Sequence, residues 1–217
     1  IDIHMPGLKI AAIQASPVFG GTVAKVNSES VTGLRGIETV VNIGDAVAVV
    51  GDNFWRVQSA LINLDVQFDG GGNESVSSDT IYATQVNAIE MGKRKSNVSD
   101  GNLDEARVAA VKTITAEYRA PYLAHAQMEP LNCTALVEDG KCEIWVGVQD
   151  GLATRAAAAN ALGIAKEDVT VHLLPLGGGF GRRGGGVMDF IDRSVRVAAQ
   201  LDGPVKVIWS REEDMRQ

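Results

Sequence analysis

The sequence predicts an α+β protein of two units, and three observations carry that reading. Short runs rich in β-branched residues recur between turn signals. Segments with helical apolar spacing follow Asn, Ser or Asp caps. Glycine-rich and polar interruptions part the chain near Gly70–Asn73 and across residues 93–102.

The first unit covers residues 1–92. Its strands are read at Thr22–Val26, Glu38–Val41, Val47–Val50 and Val66–Phe68. An Asn53 cap opens a helix whose buried side carries Trp55, Ala60, Leu61 and Leu64. Gly70-Gly71-Gly72-Asn73 interrupts the pattern. Ser78 or Asp79 then caps a helix with Tyr82, Val86 and Ile89 at helical spacing. Residues 93–102, from Lys93 to Asn102, read as a polar connector whose basic residues form a solvated face.

The second unit covers residues 103–217. Lys112–Arg119 alternates and predicts a strand. Ala135–Val148 predicts a hairpin turning at Asp139-Gly140, which sets Cys142 opposite Val137 and leaves Cys133 too far along for a disulfide. Both cysteines then serve as small buried hydrophobes. Asp150 caps a helix over Gly151–Leu162, ended by Gly163 in the left-handed conformation. A buried strand follows at Val169–Leu174. A helix carries Val187, Phe190, Ile191, Val195, Ala198 and Leu201 on one face, and a last strand spans Val205–Trp209.

Composition narrows the function. With 45% hydrophobic and 22% charged residues in 217, the chain can bury a sizeable core. A net charge of −7 argues against non-specific nucleic-acid binding. No apolar run is long enough to span a bilayer, and no Cys-x-x-Cys is available for a zinc or iron–sulfur site. His4, His125 and His172 lack metal-ligand spacing, and no Gly-x-Ser-x-Gly occurs. Glu212, Glu213 and Asp214 read as a solvated acidic run. The opening Ile1 and the abrupt ends predict a piece of a longer protein. The compartment stays open between bacterial cytoplasm and periplasm.

The most informative stretch is Leu176 to Gly186, with seven glycines and two arginines between Gly177 and Gly186. Glycine costs conformational entropy, so such density calls for a close backbone approach to a ligand, with amides aimed at an anion ahead of a helix. Arg182 and Arg183 suit the same anion. Gly179-Phe180-Gly181-Arg182-Arg183-Gly184 also matches the dinucleotide pattern G-x-G-x-x-G, with Arg211 near the end of the next strand, so an NADP-binding oxidoreductase piece is one reading. A non-catalytic domain of the same fold is another.

A third reading comes from resemblance. Gly177-Gly178-Gly179-Phe180-Gly181-Arg182-Arg183 resembles the pterin-contacting loop of the molybdenum hydroxylases, the xanthine oxidase and aldehyde oxidoreductase family. Tyr118–Pro130 resembles the family's segment ending in His-Ala-x-Met-Glu-Pro, and Trp145–Asp150 its strand ending in a cofactor-facing Gln. Pro204–Asp214 resembles its next strand and turn. Met5–Ala12 and Ala46–Trp55 resemble its preceding small α/β domain. The Gly-Arg-Arg form is nearest the isoquinoline 1-oxidoreductase β-subunit branch.

The resemblance implies a small hammerhead-like α/β unit followed by the first part of a molybdopterin-binding domain. It implies a molybdenum-bearing molybdopterin, in the cytosine dinucleotide form, and [2Fe–2S] clusters on a small partner subunit. The remaining C-terminal domains of the large subunit would complete the site, and the substrate would be an aldehyde or N-heterocycle. Gln149, Gly178, Gly179, Phe180, Gly181 and Arg182 would contact the cofactor. Xanthine-type enzymes carry a Glu four residues past the loop Phe, where this chain has Gly184, which argues against a purine substrate. The family's general-base Glu lies far towards the C-terminus and has no counterpart here, so no catalytic residue and no metal ligand is assigned. The chain by itself is expected to be inactive.

Overall fold

The computed structural model describes residues 1–92, 98 and 100–216. By contact the chain divides into two compact units, Ile1–Glu74 with Ala124–Gln217, and Ser75–Leu123.

The larger unit is built on a seven-stranded mixed sheet. Its strands are β1 (Lys9–Ala15), β3 (Ile37–Asn42), β4 (Ala46–Gly51), β6 (Asn132–Glu138), β7 (Lys141–Val146), β8 (Val169–Leu173) and β9 (Val205–Ile208), in the order β3-β4-β1-β9-β6-β7-β8. A separate antiparallel pair joins β2 (Thr22–Asn27) to β5 (Asp65–Asp69). Strands from before and after residues 93–102 share the large sheet, because β1 runs parallel to β9 with Ala11 opposite Val207. The boundary near residue 93 is therefore one of chain order rather than of packing.

Alternation along the central strands decides which face each helix covers. Ala11, Ile13, Ala46, Ala48 and Val50 join the core that contains α5 (Asp189–Ala198) and Ala158 and Ala159 of α4 (Gly151–Leu162). Ala12, Val47 and Val49 join a second cluster with Val57, Ala60 and Leu61 of α1 (Phe54–Ile62). Small alanines on the helices and sheet let the layers approach closely.

Most boundaries agree with the sequence reading. Val137 sits opposite Cys142, and both cysteines are free and buried. Asp150 accepts from Ala153 N at 2.9 Å, and Gly163 ends α4 at φ 66°. Several expectations are corrected. Trp55 is 79% exposed; two positions before Val57 it lies about 200° round the helix from the buried stripe. The sequence reading also overlooked β1, whose alanines lack the β-branched signature although it lies centrally in the sheet. Glu213 and Asp214 are buried rather than solvated, on the short helix α6 (Arg211–Asp214). Val187 lies exposed, before the first turn of α5.

In the smaller unit, α2 (Ser78–Glu90) is capped one residue earlier than expected, by Ser77 in a reciprocal capping box with Thr80. A second helix, α3, spans Leu103–Ala109. Lys112–Arg119 forms no strand. Alternation alone does not make a strand without a hydrogen-bonded neighbour, and among the described residues this segment has none. Arg119 instead lies over the Tyr82 ring at 5.5 Å, and Tyr82 donates to the Ala120 carbonyl at 2.8 Å. Most of the expected connector, residues 93–97 and 99, lies outside the described residues. Among the described residues, no helix is long and apolar enough to cross a membrane.

Candidate functional site

The glycine-rich segment connects β8 to α5 and folds back on the end of β7. Gly147, just past β7, lies where the two backbones meet: a Cβ there would stand 2.8 Å from Leu176 Cβ. This close approach brings Gln149 against the loop. The Gln149 amide N donates to the Arg183 carbonyl at 2.9 Å, and the Gly181 amide donates to Gln149 Oε1 at 3.0 Å. With Oε1 so occupied, the side-chain orientation follows from the network, and Nε2 is the group left to donate outward. Gly179 sits under that side chain, and a Cβ on it would collide with Oε1.

The loop backbone is unusual in a consistent way. Gly178 has φ 98° and Gly181 φ 101°, and between them Phe180 takes φ 53°, left-handed for a residue with a Cβ. Phe180 is 75% exposed, so burial of its ring does not offset that strain. Among the described residues, the amides of Gly178, Gly179 and Phe180 donate to no protein acceptor. Consecutive amides in such a turn form an anion-binding concavity. Gln149, Gly178, Gly179, Phe180 and Gly181 are thus gathered in one place. An open cleft of about 600 Å³ runs on from Gln149 past Leu152 and Arg155 to β8.

The two arginines behave differently from the anion-binding role read from the sequence. Arg183 is fully buried. Its guanidinium donates to the carbonyls of Gly147 (3.0 Å), Glu129 (2.8 Å) and Pro130 (3.2 Å), and pairs with the Glu129 carboxylate at 3.1 Å. Burial draws its pKa down against the fields of Glu129 and Asp214, yet a guanidinium stays charged. Arg182 is 3% exposed, forms a two-pronged pair with Asp189 on the first turn of α5, and lies 6.0 Å over the Phe190 ring. Both side chains hold the loop from beneath, and the groups of the loop left without protein partners among the described residues are backbone amides.

Glu129 completes the support. Its Oε2 accepts from the Gly177 amide at 2.9 Å while its own amide donates to the Gly177 carbonyl at 3.1 Å. Its Oε1 takes the ammonium of Ile1 at 2.9 Å. Burial pushes the carboxyl up, but the Gly177 amide, the Ile1 ammonium, Asn132 and Arg183 outweigh it and hold the acid at about 2. Nearby, Gln127 is fully buried and donates to Asp214 at 2.9 Å, and Asp214 pairs with Arg211 at 2.6 Å. His125 Nε2 lies 3.7 Å from where a Gly181 Cβ would be. Sequence reasoning did not find the partners of Glu129, Asp189 and Gln127, which lie 48, 7 and 87 residues away and leave no local spacing signal.

The dinucleotide reading fails on topology. A Rossmann unit needs the strands flanking its loop to lie side by side. Here β8 and β9 are separated by β7 and β6. Arg211, which that reading would place on a 2′-phosphate, is bonded to Asp214.

Comparison with known proteins supplies the family. A family model for the molybdopterin cofactor-binding domain matches residues 85–217, more than half of the chain. Isoquinoline 1-oxidoreductase subunit beta of Brevundimonas diminuta is 30% identical over 230 residues, covering 100% of this chain and 29% of that protein. Aldehyde oxidase 3 of Rattus norvegicus is 26% identical over 97% of this chain and 16% of its own length. The chain therefore spans less than a third of these relatives. Among solved structures, quinoline 2-oxidoreductase from Pseudomonas putida 86 matches with a TM-score of 0.68 at 15% identity, over 98% of this chain and 32% of that one. At that identity the likeness is one of fold.

Proposed function

The chain belongs to the molybdenum hydroxylase family through its molybdopterin cofactor-binding domain, and from that premise we propose that it is the front part of a catalytic subunit. The whole enzyme hydroxylates aldehydes or N-heteroaromatic compounds with oxygen derived from water. Residues 103–217 are the beginning of its cofactor-binding domain and residues 1–92 its small hammerhead-like unit. The cofactor is the cytosine dinucleotide form of molybdopterin, electrons leave through [2Fe–2S] clusters on a small partner subunit, and the remaining C-terminal domains close the site.

The observation that carries this reading is the row of amides at Gly178, Gly179 and Phe180 with no protein acceptor, beside a Gln149 whose Nε2 points away from its own anchor. The residues fit the group: an anionic pterin suits consecutive backbone donors, and Gly179 leaves no room for a side chain between the loop and Gln149. When bound, molybdopterin supplies the redox centre at which oxygen from water is transferred to carbon. The chain's own part is to bind and orient. The loop amides hold the cofactor, Gly181 fixes Gln149, Gln149 offers a preorganised donor to developing negative charge, and Arg182 anchors the loop to α5 through Asp189. Gly184, where the loop carries no carboxylate, favours an aldehyde or heteroaromatic over a purine.

The test is to purify the longer protein that carries this chain and measure molybdenum and released pterin nucleotide. Turnover of benzaldehyde and isoquinoline in ¹⁸O-labelled water, with an artificial electron acceptor, follows. About one molybdenum per polypeptide and labelled product are expected. A protein free of molybdenum and pterin, or product labelled only from O₂, overturns the reading.

A further inference from the structure

Resting on that functional reading, we infer that Glu129 and Arg183 together are the positioning clamp that sets the cofactor-facing loop and Gln149 relative to each other. Neither residue faces the cofactor side. Arg183 lies beneath the loop with no exposure, and Glu129 stands between Arg183 and Gly177.

The connections are specific. From one position, residue 183 reaches the chain on both sides of Val148, just before the Gln149 side chain: its guanidinium holds the Gly147 carbonyl, and its own carbonyl accepts the Gln149 amide. The same guanidinium holds the carbonyls of Glu129 and Pro130. Glu129 then grips the start of the loop at both backbone groups of Gly177, donating its amide to the Gly177 carbonyl and accepting the Gly177 amide at Oε2. A side chain at 177 is impossible without moving Glu129, because a Cβ would stand 2.5 Å from Glu129 Cβ. Three segments far apart in sequence, residues 129–130, 147–149 and 177–183, are therefore cross-tied by one ion pair, in which Arg183 is fully buried and Glu129 half-buried.

The placement explains why this charge is buried. A buried pair is weak evidence for stability, since desolvation offsets most of the attraction, and its best-attested use is to fix register. Here the register fixed is that of the three bare amides at 178–180 against the Gln149 side chain. One donor orientation follows from it. With Arg183 and Glu129 in place, Gly181 N meets Gln149 Oε1 and turns Nε2 outward.

The experiment uses the longer holoprotein with Glu129→Asp and Glu129→Gln. Asp keeps the charge, but its shorter arm cannot reach both the Gly177 amide and Arg183. Gln keeps the length and an oxygen for the Gly177 amide, but it removes the carboxylate charge that Arg183 pairs with at that same oxygen. Molybdenum and pterin content, hydrogen exchange of residues 177–186 in the cofactor-free protein, and melting temperature are measured together. The clamp predicts at least a fivefold loss of cofactor content and at least tenfold faster loop exchange in both variants, with Glu129→Asp melting near the wild type. Wild-type content and exchange in a folded Glu129→Asp protein overturn the clamp. So does insolubility of both variants, because the pair would then be required for folding rather than for positioning. A wild-type protein without molybdenum or pterin instead overturns the functional reading on which the clamp rests.

Discussion

Gly179→Ala tests the packing of Gln149 on the loop, with Gly186→Ala as its control. At Gly179 the added methyl would collide with Gln149 Oε1, whereas at Gly186 it would meet nothing within 4 Å. Neither glycine has a left-handed φ, so the unfolded-chain benefit of replacing glycine, about 0.4–1 kcal/mol, cancels between the two variants. What remains is the clash and the lost bond from Gly181 N to Gln149 Oε1. A hydrogen bond of this kind contributes about 1 kcal/mol net. The clash adds little, since the exposed Gln149 side chain can swing away. Gly179→Ala should therefore be about 1–2 kcal/mol less stable than Gly186→Ala. For a chain of this size that corresponds to a difference in Tm of roughly 2–8 °C. Thermal unfolding followed by far-ultraviolet circular dichroism on both variants reads it directly. Equal melting temperatures would refute the reasoning, because Gln149 would then not rest on Gly179.

Three further outcomes are expected. In the molybdenum-replete longer protein, Gln149→Ala should lower kcat/KM by roughly 100-fold or more, as loss of one preorganised donor does; an unchanged value would remove Gln149 from the site. In the 217-residue chain, with its free Ile1 ammonium, the Glu129 acid is held at about 2 by Gly177, Ile1, Asn132 and Arg183 against burial. A depressed carboxyl stabilises the fold fully above its unfolded pKa, and that contribution is lost as pH falls through the folded one. The stability gap between wild type and Glu129→Gln should thus be constant near pH 6 and shrink from about pH 4.5 towards 2, as read by denaturant titrations. Burial raises the thiols of Cys133 and Cys142 to about 12, so neither should react with a disulfide reagent at pH 8 until the protein is unfolded; fast labelling of either thiol in the native state would contradict that burial.

The two kinds of information in the sequence were legible to different degrees. Local signals read well. Asp150 and Gly163 bracket α4, Asp139-Gly140 turns the hairpin, and the glycine run marks the loop, because each effect acts within a few residues. Non-local pairing did not. β1 looks unremarkable as Ile10-Ala11-Ala12-Ile13, yet it lies between β4 and β9. Lys112–Arg119 alternates as a strand would, and no ladder takes it up. At the site the loop itself was visible, while its support was not. Arg183 reads as an anion ligand until its partners at Gly147, Glu129 and Pro130 are seen to be carbonyls. Glu129 lies 48 residues before the amide it holds. Three-dimensional closure brings such partners together, and no spacing rule encodes it.

The central claim is that backbone amides of the glycine loop hold the molybdopterin. A high-resolution structure of the cofactor-loaded longer protein tests it most directly. The account predicts at least two of the amides of Gly178, Gly179 and Phe180 within hydrogen-bond distance of the cofactor, Gln149 Nε2 directed towards its metal end, and Arg183 still buried against Glu129. A cofactor bound elsewhere, with those three amides donating to protein carbonyls from the remaining domains, would contradict it.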